Sequence, residues 1–335
     1  MRKNVLSVFI SRYVYINMLF INDFREKKIL LIRNEEKEGK IRFQNDNIVF
    51  EKEGKVVNQM SCHKVLSIFI VGETTISSVL IRNATDFGIS IFLLKHNLNN
   101  YAYIGAKAEG NYMLRMRQYE RTPEEELVMA KNVIANKLVN QLKLIKSVNK
   151  VFPYVKEKKI ILERVEAVLD DKELLGVEGN YSKIFFQEYF KDLKWYKRMP
   201  RVKIDEYNIL LDIGYTFLFN YIDSLLMLYG FDTYKGFYHK LFFQRKSLPC
   251  DIIEPFRCLI ERQLLKSFNL GQIDMGDFKR TKGVYRLDYI HSKKYTNIFL
   301  NCIIDNREEI YKYIYSFYRY QESPDNNKFP VFTIR

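Results

Sequence analysis

Two stretches of this chain gather residue types that can hold a divalent cation. In GFYHKLFFQRKSLPCDIIEPFR, His239 is followed twelve and fifteen residues later by Asp251 and Glu254. In LLGVEGNYSKIFFQEYF, helical spacing puts Glu178 on the same stripe as Tyr181, Phe185 and Tyr189, with Ile184 beside them. A carboxylate on an apolar stripe points inward, which is costly unless it is paired, hydrogen-bonded or metal-bound. If Glu178, His239 and Glu254 converge, they supply two carboxylates and one imidazole without a thiolate. That donor set suits Mg2+ or Mn2+ better than structural zinc, and the imidazole tilts it toward Mn2+.

Each residue also has an ordinary reading. Asp-x-x-Glu before an apolar run is the signature of a helix cap, a lone histidine is more often structural than a ligand, and a first-turn Glu is favoured by the helix dipole. Pro255 weakens the cap, because it lacks the N–H that would bond the Asp251 carbonyl. Other chemistries find no support: the chain has no G-x-x-x-x-G-K-[ST], no G-x-G-x-x-G and no G-x-S-x-G. SCHK (61–64) pairs a cysteine with a histidine, but no second pair lies at zinc-finger spacing.

The composition is that of a globular protein with polyanionic partners. Among 335 residues, 54 Lys and Arg face 40 Asp and Glu, a net charge of +14 that is spread over both halves. Such an excess favours nucleic acid or an anionic membrane surface. The 25 Phe and 24 Tyr could serve base stacking, though most belong in a core. Four cysteines without C-x-x-C spacing fit a reducing cytoplasm. The basic and then apolar MRKNVLSVFISRYVYINMLF is interrupted by Arg12, and no apolar run approaches membrane-span length, so a cytoplasmic protein with no membrane association is expected.

The elements that must position these residues change period along the chain. KKILLIR, KIRFQ, NIVFEKEGKVV, VLSIFIVG and GISIFLL read as strands. Between the last two, Ile76, Val79, Leu80 and Asn83 have helical spacing that Gly88 would stop. Beyond about 105 the pattern is helical. Thr122, Pro123 and Glu125 announce a capped helix whose stripe is Leu127, Ile134, Leu138, Leu142 and Ile145. The expected fold is α+β: an N-terminal β domain over 1–105, a linker at 106–122 and a mostly α-helical catalytic domain over 123–335.

These motifs resemble, in order and over nearly the whole chain, those of the CRISPR adaptation integrase, the CRISPR-associated protein Cas-one. IVGETTISSVLIRNATDFGISIFLL is similar to the family's Gly, Ile-Ser-Ser and Gly-Ile stretch. NKLVNQLKLIKS is similar to its Lys-x-x-Asn-Gln helix, and RMPRVKIDEYNILLDIGYTFLF to its Arg-x-Pro, Asp, Asn and Gly-Tyr segment. EGNYSKIFF resembles the Glu-Gly helix start, GFDTYKGFYH the Gly-x-Asp-Pro and Gly-x-x-His pair, and RKSLPCDIIEPFR the Asp-Leu-x-Glu-Pro-Phe-Arg run. Thr233, Pro249, Tyr181 and Ser182 depart from the usual residues without touching a ligand position.

The resemblance implies that Glu178, His239 and Glu254 hold Mn2+ or Mg2+ and that Asp251 orients a ligand or a bound water. It implies insertion of short duplex DNA (prespacers) into the CRISPR repeat next to its leader by attack of a 3′ hydroxyl. Lys183, Arg198, Arg201, Arg245, Lys246 and Arg257 are the basic residues expected to contact DNA phosphates. It further implies a homodimer formed through the β domain and a small partner subunit, Cas-two, in a prokaryotic cytoplasm. Two other readings stay open: a metal-dependent endonuclease acting on branched DNA, and a non-catalytic DNA-binding scaffold whose acids are helix caps.

Overall fold

The computed structural model describes residues 28–34, 39–95, 100–105, 111–193, 195, 197–281, 283–287 and 289–335. The basic, apolar N-terminal stretch of the sequence therefore lies outside the described residues. Two compact units divide the chain: the first takes the described residues up to 115 together with 224–231, and the second takes 116–223 with 232–335.

The first unit is built from the runs of β-branched and aromatic residues. Its strands are β1 (Lys28–Arg33), β2 (Gly39–Gln44), β3 (Asn47–Lys52), β4 (Lys55–Ser61), β5 (Val65–Val71) and the short β6 (Thr74–Ile76). Helix α1 (Ser78–Asp86) precedes β7 (Ser90–Leu94) and β8 (Asn100–Ile104). One sheet has the order β1-β5-β7-β8, parallel except for β8, and the other has the order β4-β3-β2-β6. NIVFEKEGKVV folds as the β3–β4 hairpin, and Glu53 and Gly54 both take the positive φ that a tight two-residue turn requires.

Ser77 caps α1 by accepting from the Leu80 N–H, and Gly88, at φ +75°, ends it as expected. The buried face of α1 is Leu80 and Ala84, which join Ile41, Ile48, Ile68, Ile70 and Ile91 from the strands in one core. Val79, expected on that face, is exposed. Helix α2 (Tyr112–Glu120) occupies most of the stretch expected as a linker.

The second unit is mainly helical. Helix α3 (Pro123–Val148) starts with the full reciprocal cap: Thr122 Oγ1 accepts from the Glu125 N–H, and the Thr122 N–H donates to Glu125 Oε2. It is followed by α4 (Tyr154–Glu166), α5 (Asp171–Tyr189), α6 (Glu206–Leu228), α7 (Ser247–Ile252) and α8 (Arg257–Asn269). A hairpin of β9 (Phe278–Thr281) and β10 (Val284–Leu287), not anticipated from the sequence, precedes α9 (Tyr289–Asp305) and α10 (Arg307–Glu322).

Helix α6 corrects the membrane reading in one respect. Its 23 residues are long and apolar enough to span a bilayer, but 78% of its most apolar window is buried within the protein, as in a core helix. A search for one unbroken apolar run passed over it because Asp212, Asn220 and Asp223 interrupt the pattern.

Candidate metal and phosphate site

The polar side of α3 is as buried as its apolar stripe. Asn136, Lys137, Asn140 and Gln141 recur at helical spacing and are all buried, so each must find a partner. Lys137 Nζ lies 2.5 Å from Glu178 Oε1 on α5 and 2.7 Å from Glu254 Oε2. Asn140 donates to the carbonyl of Pro255, the residue after Glu254, at 3.2 Å.

Asn136 and Asn140 also bind the C-terminal stretch as an adjacent strand would. Asn136 donates to the Phe332 carbonyl and accepts its N–H, while Asn140 donates to the same carbonyl and accepts the Ile334 N–H. The Phe332 ring packs at a tilt of 39° against Phe256, with centroids 4.6 Å apart.

His239 sits in an irregular loop, 231–246, that Gln118 and Asp251 both hold. The Gln118 amide accepts the Asp232 N–H and donates to the carbonyls of Asp232 and Lys235. Asp251, fully buried on α7, accepts the N–H groups of Phe237, Tyr238 and His239 and meets His239 Nδ1 at 2.7 Å. Asp251 is thus inside α7 and caps nothing. The capping pattern misleads because its hydrogen bonds run backward to the loop rather than forward into a helix. With Nδ1 engaged, Nε2 is the imidazole nitrogen left for a ligand.

Glu178, His239 and Glu254 line one 560 Å³ cavity, together with Lys137, Gln141, Asp171, Lys172, Tyr215, Tyr238, Lys240 and Glu261. Of the six basic residues expected at DNA, Arg198, Arg245 and Arg257 line it as well, whereas Lys183, Arg201 and Lys246 do not. Lys183 is on the exposed side of α5, and Lys246 is paired with Asp223 at 2.6 Å. Tyr181, Phe185 and Tyr189 are buried as their stripe implies, but Ile184 is exposed.

The electrostatics follow from burial. Burial opposes ionisation of Glu254, yet Arg257, 2.9 Å away, and Lys137 outweigh it and hold its carboxyl below the usual range. Burial likewise opposes the Lys137 ammonium, and Glu254 and Glu178 overcome it, raising its pKa. For His239, burial is outweighed by the hydrogen bond and charge of Asp251, so its pKa is raised. The Tyr238 hydroxyl donates to Glu178 Oε2 at 2.6 Å, and burial followed by that carboxylate pushes its pKa up.

Glu261, on α8 at the back of the cavity, is buried and shifted up to about 7 by that burial. Its Oε1 accepts from Tyr215, and its Oε2 has no hydrogen-bond partner. The guanidinium groups of Arg198 and Arg257 both lie over the Tyr215 ring, 5.4 and 4.7 Å from its centroid.

As arranged, no three His, Cys, Asp or Glu side chains among the described residues are gathered as a ready metal cluster. What fits a divalent ion is the pairing of Glu178 and Glu254 around one ammonium. A single cation reaches an oxygen of each, and the imidazole of His239 stands on the same cavity wall. Sequence reasoning passed over Lys137, Tyr238 and Glu261. The signal for Lys137 was present in NKLVNQ, where four polar residues share a helix face too regularly to be solvated by chance.

Comparison with known proteins finds relatives that cover most of the chain. The CRISPR-associated endonuclease Cas1 1 of Thermodesulfovibrio yellowstonii is 29% identical over 266 residues, 74% of this chain and 84% of that protein. The protein of the same name from Saccharolobus solfataricus is 25% identical over 322 residues, 89% and 90% of the two chains. The fold matches that of a chain in a partial Cas6-RT-Cas1–Cas2 complex, with a TM-score of 0.75, 21% identity and coverage of 92% and 99%. It also matches a casposase bound to integration product, at TM-score 0.67, 20% identity and coverage of 92% and 100%. Residues 35–301 match the family described as CRISPR associated protein Cas1, and with the ordered Glu178, His239 and Glu254 motifs on one cavity, the chain belongs to that family.

Proposed function

We propose that this protein is a DNA integrase of CRISPR adaptation, joining short duplexes to the repeat array by transesterification at the Glu178–His239–Glu254 cavity. The observation that carries the reading is the convergence of these three residues on a cavity also lined by Lys137, Lys172, Arg198, Lys240, Arg245 and Arg257. A phosphodiester is anionic and its displacement concentrates charge on the equatorial oxygens, so a pocket of cations favours that transition state. The 3′ oxygen of the incoming strand forms a bond to phosphorus as the 3′ oxygen of the repeat strand leaves, conserving one phosphodiester bond. Glu178, His239 and Glu254 would hold Mn2+ or Mg2+, which supplies Lewis-acid polarisation of the phosphoryl group. Asp251 keeps the imidazole turned with Nδ1 inward.

With water in place of the 3′ hydroxyl, the same groups cleave DNA, and the curated relatives named endonucleases favour that second activity. Double-stranded DNA, a second copy of the chain and a Cas2-type subunit are the partners this reading requires. The partial Cas6-RT-Cas1–Cas2 complex and the casposase bound to integration product favour the Cas2-type subunit and the DNA.

The test is incubation with duplex prespacer and a repeat-bearing plasmid, with Mn2+, Mg2+ or EDTA. Joined product is expected with metal only, and His239→Ala is expected to lower it at least about 100-fold. Product formed in EDTA, or by His239→Ala at the wild-type rate, would refute the mechanism.

A further inference from the structure

Two of the three residues proposed to hold the ion stand on backbone that no long helix or sheet fixes. His239 is in the irregular loop 231–246, and Glu254 opens the 3-10 turn Glu254–Phe256 between α7 and α8. Such segments are placed by what packs against them. Each carries one fully buried ring: Phe237, two residues before His239, and Phe256, two residues after Glu254.

One short stretch of chain meets both rings. The Phe329 ring stands edge-on to Phe237, with centroids 6.5 Å apart, and Phe332 packs against Phe256. From 330 to 335 the burial alternates, with Pro330, Phe332 and Ile334 inside and Val331 and Thr333 outside, as in a strand. Among the described residues no strand pairs with it, and side chains answer its carbonyls instead: Asn136 and Asn140 at Phe332, Lys143 at Ile334. The Asn140 amide that holds the Phe332 carbonyl at 3.0 Å also holds that of Pro255 at 3.2 Å, so the stretch and the Glu254 turn share one donor. Phe329 is anchored in turn on α10, 5.9 Å from Phe317 and 5.1 Å from Tyr320 between centroids.

We propose that Phe329 and Phe332 are positioning residues for the divalent cation, and that 329–334 is a latch that seats His239 and Glu254 together. The inference rests on the reading that these two residues and Glu178 hold the ion. Close-packed rings transmit a displacement instead of absorbing it, and a metal site tolerates misplaced ligands by only about 0.5 Å. With the rings truncated every ligand is still present, but the two segments must be ordered at the moment of binding, which costs affinity.

The test is a Mn2+ titration of the folded chain, with the free ion read by electron paramagnetic resonance, for wild type, Phe329→Ala/Phe332→Ala and Phe329→Leu/Phe332→Leu. The double alanine chain is expected to bind Mn2+ about tenfold or more weakly, with the far-ultraviolet circular dichroism of wild type. The double leucine chain keeps most of the buried volume and is expected to recover affinity to within about threefold. Phe92→Leu, in the core of the first unit, controls for lost stability: its melting temperature is expected to fall while its Mn2+ affinity stays within about twofold of wild type. Wild-type affinity in the double alanine chain would overturn the latch, as would an equal loss in Phe92→Leu. If the double alanine chain does not fold, each single alanine variant is expected to lose about threefold or more, and wild-type affinity in both overturns the proposal. His239→Ala is titrated alongside. A loss there with none in the ring variants sinks the latch alone; no loss in His239→Ala sinks the ligand reading on which the latch rests.

Discussion

Asp251 Oδ1 lies 2.7 Å from His239 Nδ1, and solvent does not reach that carboxylate. Its two oxygens also take the backbone N–H groups of residues 237–239, so one side chain fixes both the imidazole and the loop that carries it. Asp251→Ala leaves those N–H groups buried and unpaired and is expected to cost about 3–5 kcal/mol of unfolding free energy, as for breaking a buried charged contact. Asp251→Asn keeps half of the acceptors and is expected to remain folded while DNA joining falls about 10- to 100-fold. Urea denaturation and a joining assay check the pair; an alanine variant within about 1 kcal/mol of wild type would contradict the geometry.

Gly236 approaches the same carboxylate from the other side. A Cβ there would meet Asp251 Oδ2 at 2.6 Å, the His239 carbonyl oxygen at 2.9 Å and Ser247 Cβ at 2.9 Å. None of these is the free end of a flexible chain, so Gly236→Ala is expected to destabilise by about 1–3 kcal/mol and to weaken joining together with stability. Melting temperature and activity both unchanged would show that the loop has room to move.

Lys137 is the cation that bridges the carboxylates of Glu178 and Glu254. Lys137→Met keeps the length and removes the charge. In the metal-free protein it is expected to cost about 3 kcal/mol, Arg257 still answering Glu254. Because the ammonium that bridged the two carboxylates is then gone, Mn2+ should raise the melting temperature of the variant more than that of wild type. An equal or smaller shift would mean that the ammonium and the ion do not compete for these oxygens.

Glu261 gives the protein a pH dependence of defined sign. Burial holds its pKa at about 7 against an ordinary 4.5, even though Tyr215, Lys137, Arg257 and Gln141 all act to lower it. Between those values the folded state binds more protons than the unfolded, so stability is greatest below about 4.5 and falls as pH rises to about 7, by up to about 3 kcal/mol. Glu261→Gln removes the penalty and is expected to be the more stable form at pH 8, with the difference closing near pH 4. Parallel denaturation curves with a constant gap would rule out this origin.

Most strands of the first unit, though not β6 or β8, and the reciprocal cap of α3 were legible because both patterns are local: alternation and β-branching in one, a three-residue reciprocity at Thr122 and Glu125 in the other. The β9–β10 hairpin escaped notice because its two four-residue strands lie between long helices. Glu178, His239 and Glu254 were legible as residue types and motif order. The role of Asp251 was not, since cap and clamp share one spelling and differ only in where the hydrogen bonds go. The period of NKLVNQ marks Lys137 as buried but does not name its partners, which come from two other segments.

The clasp of Asn136 and Asn140 on residues 332–334 has a consequence for biogenesis. Each amide finds its mate more than 190 positions further along the chain. While the polypeptide is still emerging from the ribosome, α3 can wind and cap itself, but its buried polar face stays unanswered. A fragment lacking residues 332–334 holds every proposed ligand while the amides of Asn136 and Asn140 wait for these partners. Until residues 332–334 have been made, Asn136 and Asn140 lack these partners.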